Sequence, residues 1–238
     1  MPFDNPLICA LDSSDLDETV ALARGLSGSV GGLKLGLQFL HGRGPAGVRA
    51  VADAGLPLFL DVKLHDIPNT VAGAVRSLCV SGPAMFTVMA QGGATMMRAA
   101  VAAAADAAGS AGDAPPWVLA VTVLTSLDGD DLAATGVAGT VEDQVLRLAD
   151  LALGAGCSGL VCSPLEIEAV RRRFGAGPRL VVPGIRPEAA RDDQKRTMTP
   201  ADALAAGADL LVVGRPITGA ADPRAAARGL LSGPKRAA

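Results

Sequence analysis

The sequence has few aromatic and histidine side chains and no excess of basic charge. Aromatic residues make up 3% of its 238 residues, with no tyrosine and one tryptophan. Two histidines, His41 and His65, are too few for a histidine-based zinc site. The 21 basic and 24 acidic residues give a net charge of −3, unlike the strong basic excess of nucleic-acid-binding proteins. A positive site for an anionic ligand must therefore be local.

Long uninterrupted apolar runs and paired cysteine motifs are also missing. Residues 77–97 carry no charge, but glycine, proline and glutamine interrupt them, so no membrane helix is predicted. The segment MPFDNPLICALD lacks the basic and apolar regions of a signal peptide, and we therefore expect a cytoplasmic protein. The four cysteines show no CxxC spacing and are predicted to be inert thiols of the core.

Eight short apolar runs alternate with amphipathic segments along the chain. The runs are rich in Val, Leu and Ile without strict alternation, which is typical of parallel strands buried on both faces. Strands are predicted at residues 8–11, 32–35, 58–62, 84–89, 117–124, 159–162, 180–182 and 210–213. Helices are predicted at residues 16–26, 48–54, 71–78, 96–108, 128–134, 141–153, 165–174, 201–206 and 223–231.

This alternation predicts an α/β protein, a single-domain (β/α)₈ barrel (TIM barrel) that spans residues 1–238. A doubly wound open sheet is the competing topology, because periodicity alone does not show whether a sheet closes. In a barrel, the residues that follow each strand converge on one mouth, where the active sites of such proteins lie.

The segment DVKLHDIPNT, residues 61–70, sets three ionisable groups at the end of the third strand. Asp61 and Lys63 are two residues apart, so their side chains share one face of a strand, and Lys34 ends the neighbouring strand. Desolvation offsets most of the attraction in a buried ion pair, so a cluster of these groups with Asp66 indicates function rather than stability. Nearby carboxylates favour the ammonium form of a lysine, which suits a transition state with negative charge on carbon.

A second pattern follows the seventh and eighth strands. The loops VPGIRP and VVGRPI, residues 182–187 and 212–217, occupy the positions where barrels of this type commonly bind phosphate. Gly184 and Gly214 allow a ligand oxygen close to backbone N–H groups, and the guanidinium of Arg215 matches phosphate oxygens. The sequence therefore predicts a phosphate site at this part of the mouth.

Six blocks of the sequence, in order, resemble the bacterial form of the orotidine 5′-phosphate decarboxylase family. They are DVKLHDIPNTV, AVTVLTS, LVCSPLE, VPGIRP, DQKRTMTP and VGRPIT. The resemblance runs from Asp12 to the last helix. It implies a carboxy-lyase that converts orotidine 5′-monophosphate to uridine 5′-monophosphate in de novo pyrimidine synthesis, with no metal or organic cofactor. It also implies a homodimer with shared active sites, and no nucleic-acid or membrane partner.

The resemblance implies roles for individual residues. Lys63 protonates C6 as carbon dioxide leaves, Asp61 lies beside the substrate carboxylate, and Lys34 links the charge network to the ribose. Asp66 and Thr70 reach into the partner's active site, and Asp66 completes the catalytic set. The remaining implied substrate-binding residues are Asp12 at the ribose, Thr125 at the pyrimidine edge, Gln194, Gly214 and Arg215 at the 5′-phosphate with Arg186 nearby, and Ile67 and Pro183.

Two other functions stay open from the sequence. One is a decarboxylase or aldolase that acts on a keto-sugar phosphate with bound Mg²⁺, since the shorter D-x-K-x-x-D pattern occurs in such enzymes too. The other is a catalytically silent barrel that senses uridine 5′-monophosphate. Metal dependence separates the first from the predicted enzyme, and turnover of orotidine 5′-monophosphate separates the second.

Overall fold

The computed structural model describes residues 3–187 and 197–232. Its parallel strands pair in chain order, and β1 pairs with β8 to close the barrel. The strands are β1 Leu7–Leu11, β2 Gly32–Leu35, β3 Leu58–Leu64, β4 Met85–Met89, β5 Trp117–Val121, β6 Gly159–Val161, β7 Arg179–Val182 and β8 Leu210–Val213. The predicted (β/α)₈ barrel is confirmed, and the open sheet is excluded.

Helices follow the strands and cover the outside of the barrel. They are α1 Leu16–Gly25, α2 Leu37–Ala52, α3 Pro68–Cys79, α4 Gly93–Ala111, α5 Gly129–Ala134, α6 Val141–Gly154, α7 Ile167–Phe174, α8 Pro200–Ala206, α9 Arg215–Thr218 and α10 Pro223–Leu231, with 3₁₀ turns at Ala90–Gly92 and Pro164–Glu166. Several begin where a polar side chain caps the first turn: Asp15, Thr199 and Asp222 each accept a hydrogen bond from a backbone N–H three residues later.

Three elements differ from the sequence prediction. The prediction placed the second helix at residues 48–54, but α2 begins at Leu37 and contains a kink at Gly44, with φ of 57°, before Pro45. Glycines and a proline between Leu37 and Val48 hide the helical period from the sequence. Strand β5 ends at Val121 rather than at residue 124, and α9, with four residues, is too short to show any period.

Two apolar layers hold the barrel together. The outer layer lies between strands and helices, and the inner one fills the barrel below its mouth. The inner layer, here called the apolar plug, contains Phe3, Ile8, Ala10, Phe59, Met85, Leu119, Val181, Leu210 and Val212. Because the plug fills the barrel, a ligand can enter only at the mouth.

Three of the four cysteines, Cys9, Cys157 and Cys162, are buried as predicted, whereas Cys79 is only partly buried. Burial raises the pKa of the Cys9 and Cys157 thiols to about 12, so both stay protonated at neutral pH. None of the helices within residues 3–187 and 197–232 is long and apolar enough to cross a membrane.

Candidate active site

A cavity of about 510 Å³ opens at the carboxyl ends of the strands. Its floor is the top of the apolar plug, formed by side chains such as Phe59 and Val212. The residues that were predicted for the site and line this cavity are Asp12, Lys34, Asp61, Lys63, Thr125, Pro183, Arg186, Gly214 and Arg215. The structure thus gathers residues from both ends of the chain around one opening.

Four of these side chains form an alternating series of charges, here called the charge chain: Asp12, Lys34, Asp61 and Lys63. Lys63 Nζ donates to Asp61 Oδ2 at 2.7 Å. The same oxygen lies 3.6 Å from Lys34 Nζ, which in turn lies 3.3 Å from Asp12 Oδ1. Each lysine therefore has a carboxylate beside it, and Asp61 serves both lysines.

Asp61 is the most constrained carboxylate of the charge chain. Its side chain is 14% exposed. Burial, the largest influence, raises the pKa of Asp61, but the charges of Lys34 and Lys63 and hydrogen bonds from Lys63 and Thr87 outweigh it. The pKa therefore lies below its ordinary value of 3.8, and the carboxylate is ionised at neutral pH.

Strand β3 is irregular where it carries Asp61 and Lys63. Leu60 pairs with Phe86 and Leu64 with Val88, so four residues of β3 advance against two of β4. Within this bulge Lys63 has φ of 46°, the only positive φ of a non-glycine residue in the described ranges. The predicted convergence of the two side chains is correct, but an irregular backbone produces it, not the regular strand period.

Thr87 on β4 forms hydrogen bonds with both residues of this irregular segment. Its hydroxyl accepts a hydrogen bond from Lys63 N at 2.9 Å and donates one to Asp61 Oδ1 at 2.9 Å. Thr87 was not predicted from the sequence. Its signal was the single hydroxyl in the apolar strand MFTVM, which by itself also fits an ordinary strand residue.

Gly36, which follows β2, leaves space for the charge chain. A Cβ at this position would lie 2.9 Å from both Asp12 Oδ1 and Lys34 Nζ. The backbone of Gly36, with φ of −94°, is open to any residue, so the need for glycine here is one of space.

The predicted phosphate loops follow β7 and β8, the last two strands in the chain. Gly184, with φ of 79°, follows β7, and the largely buried Arg186 donates from Nη1 to Ile185 O at 3.0 Å. Gly214 and Arg215 begin α9 directly after β8. Gln194 lies outside the described residues.

Asp66, Ile67 and Thr70 do not line the cavity of their own chain. All three are exposed, and Asp66 Oδ1 accepts a hydrogen bond from Ile67 N at 2.6 Å. Within one chain, the second carboxylate of the charge chain is Asp12 rather than Asp66. Since the prediction assigns Asp66 and Thr70 to a partner's cavity, their roles stay predictions.

The cavity also contains residues that sequence reasoning did not single out. Gln38 enters from α2, and Cys162 follows β6. Gln38 lies outside the blocks that carry the resemblance, and Cys162 lies inside LVCSPLE but was interpreted as a core thiol. Within the described ranges, no three His, Cys, Asp or Glu side chains group to hold a metal ion.

A charge chain at the mouth of a closed (β/α)₈ barrel, above an apolar floor, is the type of site that enzymes of this fold use. Residues 5–230 match the model of the orotidine 5′-phosphate decarboxylase / HUMPS family. The chain belongs to this family, which confirms the enzyme family predicted from the sequence.

Curated and solved proteins resemble the chain over almost its whole length. It is 55% identical over 224 residues to orotidine 5′-phosphate decarboxylase of Paramagnetospirillum magneticum, covering 94% of this chain and 95% of that protein. The Rhodospirillum rubrum protein of the same name is 54% identical over 226 residues, covering 94% and 92%. A crystal structure of orotidine 5′-phosphate decarboxylase from Lactobacillus acidophilus is 34% identical with a TM-score of 0.84, covering 96% and 98%.

Proposed function

We propose that the protein decarboxylates orotidine 5′-monophosphate to uridine 5′-monophosphate in pyrimidine biosynthesis, without a metal or organic cofactor. The observation that carries this proposal is the contact between Lys63 Nζ and Asp61 Oδ2 at 2.7 Å inside the cavity. A cation held there can stabilise negative charge that develops on a substrate carbon, in a chain of the matching family.

The substrate has an anionic group at each end, and the cavity offers a separate place for each. The 5′-phosphate binds at Gly214 and Arg215, with Gln194 and Arg186 contributing. The ribose hydroxyls meet Asp12 and Lys34, and the pyrimidine edge meets Thr125, while Ile67 and Pro183 complete the contacts. This orientation directs C6 of the pyrimidine toward Lys63.

The chemical step breaks one carbon–carbon bond and makes one carbon–hydrogen bond. The bond between C6 and its carboxylate breaks, carbon dioxide leaves, and the electron pair stays on C6. The ammonium of Lys63 stabilises this pair and donates a proton to C6, and the amine then regains a proton from water. Asp61, ionised and fixed, holds the ammonium in place before the step.

The phosphate contacts contribute to the rate although they lie far from C6. Binding energy from a remote group can offset the cost of placing the substrate carboxylate beside the ionised Asp61. This placement adds ground-state repulsion between the substrate carboxylate and Asp61. The stabilisation of the carbanion by Lys63 needs no such repulsion.

The proposal includes a cytoplasmic homodimer in which Asp66 and Thr70 complete the partner's cavity. Three exposed neighbours support it, since Asp66, Ile67 and Thr70 lie on the surface of the single chain and Ile67 is 67% exposed. An exposed isoleucine beside polar residues that are predicted to enter a partner's cavity is typical of a surface that a second copy of the chain covers.

A keto-sugar phosphate decarboxylase or aldolase that uses Mg²⁺ is the second candidate, because the matching family description includes the HUMPS group. The test follows the absorbance of orotidine 5′-monophosphate after mixing with protein treated with EDTA. We expect loss of the substrate signal at the same rate with EDTA as with added Mg²⁺. Mg²⁺-dependent turnover of a keto-sugar phosphate without loss of orotidine 5′-monophosphate favours the second candidate, and lack of turnover of both substrates favours a silent nucleotide-binding barrel.

The Lys63→Ala variant tests the assigned proton donor in the same assay. We expect kcat to fall by about 10³-fold or more, as for loss of a preorganised electrostatic group. The matched control is Arg172→Ala, which removes a positive charge from an exposed pair with Glu142 at 3.5 Å. Near-normal turnover by Lys63→Ala contradicts the mechanism.

A further inference from the structure

Thr87 is a fully buried polar residue whose two hydrogen bonds both end on the charge chain. It is 0% exposed and lies on β4, between Phe86 and Val88, which belong to the outer apolar layer. Its Oγ1 joins the backbone N–H of Lys63 to the carboxylate of Asp61, with both distances at 2.9 Å. The hydroxyl thus contacts the backbone of one member and the side chain of another.

The direction of these bonds fixes which carboxylate oxygen faces the lysines. A hydroxyl has one hydrogen, and the Thr87 hydroxyl gives it to Asp61 Oδ1 while its lone pair accepts from Lys63 N. Asp61 Oδ2 is then directed at Lys63 Nζ, 2.7 Å away, and at Lys34 Nζ, 3.6 Å away. Without the hydroxyl, the Asp61 carboxylate can turn about its terminal torsion, which has no sharp minimum.

The same hydroxyl also supports an unfavourable backbone conformation. Lys63 has φ of 46°, a backbone conformation that is unfavourable for residues with a side chain. Such conformations persist only where surrounding contacts stabilise them. The bulge removes the Lys63 N–H from the regular β3–β4 ladder, where Leu60 and Leu64 are the paired residues. Thr87 supplies the acceptor that the ladder lacks at this point.

We propose that Thr87 is a positioning residue for the decarboxylation: its hydroxyl holds the Asp61 carboxylate and the Lys63 backbone so that the ammonium stays aimed at the reacting carbon. This inference rests on the proposed function. Thr87 does not line the cavity, so it acts through Asp61 and Lys63 and does not touch the substrate. Two charged groups face Asp61, Lys34 from β2 and Lys63 from β3, and Asp12, directly after β1, pairs with Lys34. From β4, Thr87 faces Asp61 with an uncharged hydroxyl.

Two substitutions separate the hydroxyl from the bulk of the side chain. Thr87→Val keeps the shape and removes the hydroxyl, whereas Thr87→Ser keeps the hydroxyl and removes a methyl group. We expect Thr87→Val to lower kcat by about 10- to 100-fold with a smaller change in KM, since a misplacement near 1 Å costs up to about 10²-fold. Thr87→Ser should keep kcat within about threefold of the wild type.

The matched control is Thr122, directly after β5, the strand that pairs with β4. Thr122 is also 0% exposed, and its hydroxyl donates to Val161 O at 3.2 Å, away from the charge chain. Thr122→Val should therefore leave kcat near the wild-type value. If packing were the role of Thr87, the order would reverse: Thr87→Val would be active and Thr87→Ser impaired. That reversed order, or equal loss in both variants, overturns the proposal.

Two further measurements keep the proposal testable. If Thr87→Val fails to fold by circular dichroism, Thr87→Ala and Thr87→Ser replace it, because both lack the methyl group and they differ by the hydroxyl. A crystal structure of the folded variant without the hydroxyl tests the positioning whatever reaction the protein catalyses. We expect Asp61 to rotate and the contact between Asp61 Oδ2 and Lys63 Nζ to lengthen. Unchanged positions of Asp61 and Lys63 overturn the inference, and a wild type without decarboxylase activity overturns the proposed function instead.

Discussion

Asp61 is the residue on which the other charges of the site depend. One of its oxygens faces both Lys34 and Lys63, and the other accepts a hydrogen bond from Thr87. Removing a member of such a buried network leaves an unpaired charge, which is unfavourable even when the intact network adds little stability. The arrangement therefore serves the placement of Lys63 more than the strength of the fold.

The lowered pKa of Asp61 makes acid stability a measurable consequence. In the unfolded chain its pKa returns to the ordinary value of 3.8, so between that pH and the lower folded value the unfolded state binds a proton that the folded state does not. Stability from Asp61 is thus fully present above about pH 4 and is lost as pH falls through the folded pKa.

We expect the free energy of unfolding of the wild type to fall more steeply below pH 4 than that of Asp61→Asn. Urea denaturation from pH 7 to pH 3 measures both slopes. Above pH 5 the difference between the two proteins should be constant. Parallel curves through the acid range would show that Asp61 has an ordinary pKa in the folded protein.

Single residues also mark the limit of what the sequence predicts. The meeting of Asp61, Lys63 and Lys34 was predicted from strand spacing and barrel geometry, and the structure brings the three together, although a bulge in β3 rather than the regular strand period joins Asp61 and Lys63. Asp12 was predicted as a ribose contact, and its ion pair with Lys34 was not anticipated, because two residues twenty-two positions apart meet only through the pairing of β1 with β2. Thr87 was missed because a threonine in a strand has no distinctive pattern.

At the scale of elements, the junction between β2 and α2 is as important as the strands themselves. Gly36 is the N-cap of α2 and forms no side-chain cap, yet a Cβ there would press on the ends of Asp12 and Lys34. Both are flexible side chains, so they can move aside without unfolding the protein. A methyl group at this position therefore displaces the charge chain.

We expect Gly36→Ala to fold normally and to lower kcat/KM by about tenfold or more, because displaced charges no longer match the substrate. The matched control is Gly25→Ala, since a Cβ at Gly25 meets no atom within 4 Å. Steady-state kinetics with thermal melting measures both properties. Full activity of Gly36→Ala, at an unchanged melting temperature, would contradict the spatial role of this glycine.

The elements that the sequence missed share a physical cause. The part of α2 before Val48 contains glycines and a proline, so hydrophobic periodicity is weak there although the chain is helical. The helix α9 has four residues and depends on the turn after β8 rather than on its own period. The strands were predicted well because burial on both faces requires continuous apolar runs.

At the scale of the whole molecule, the proposed active site needs residues from two chains. In one chain the cavity contains the charge chain but not Asp66, Ile67 or Thr70, which lie exposed at its surface. In the proposed homodimer these residues of each chain lie at the cavity of the other chain, since a two-fold interface repeats each contact in both directions.

Mixing Asp66→Ala with Lys63→Ala, each inactive alone, should restore turnover. In a mixed dimer one site has both wild-type residues, so about a quarter of the wild-type sites return after complete exchange of equal amounts. The control mixes Lys63→Ala with Asp61→Ala, which share a site in one chain and cannot complement. No recovery in the first mixture, with mixed dimers shown by mass spectrometry, would place Asp66 outside the partner's site.

The pairing of β1 with β8 brings together two parts of the cavity that are synthesised far apart in time. All four members of the charge chain lie within the first 63 residues, whereas Gly214 and Arg215 follow the final strand. Only when that strand docks does Gly214 come beside Asp12, where a Cβ would lie 3.9 Å from Asp12 Oδ2. A ribosome-bound chain that lacks β8 therefore carries the whole charge chain but neither Gly214 nor Arg215, so under the proposed function we expect it to bind no 5′-phosphate before β8 docks.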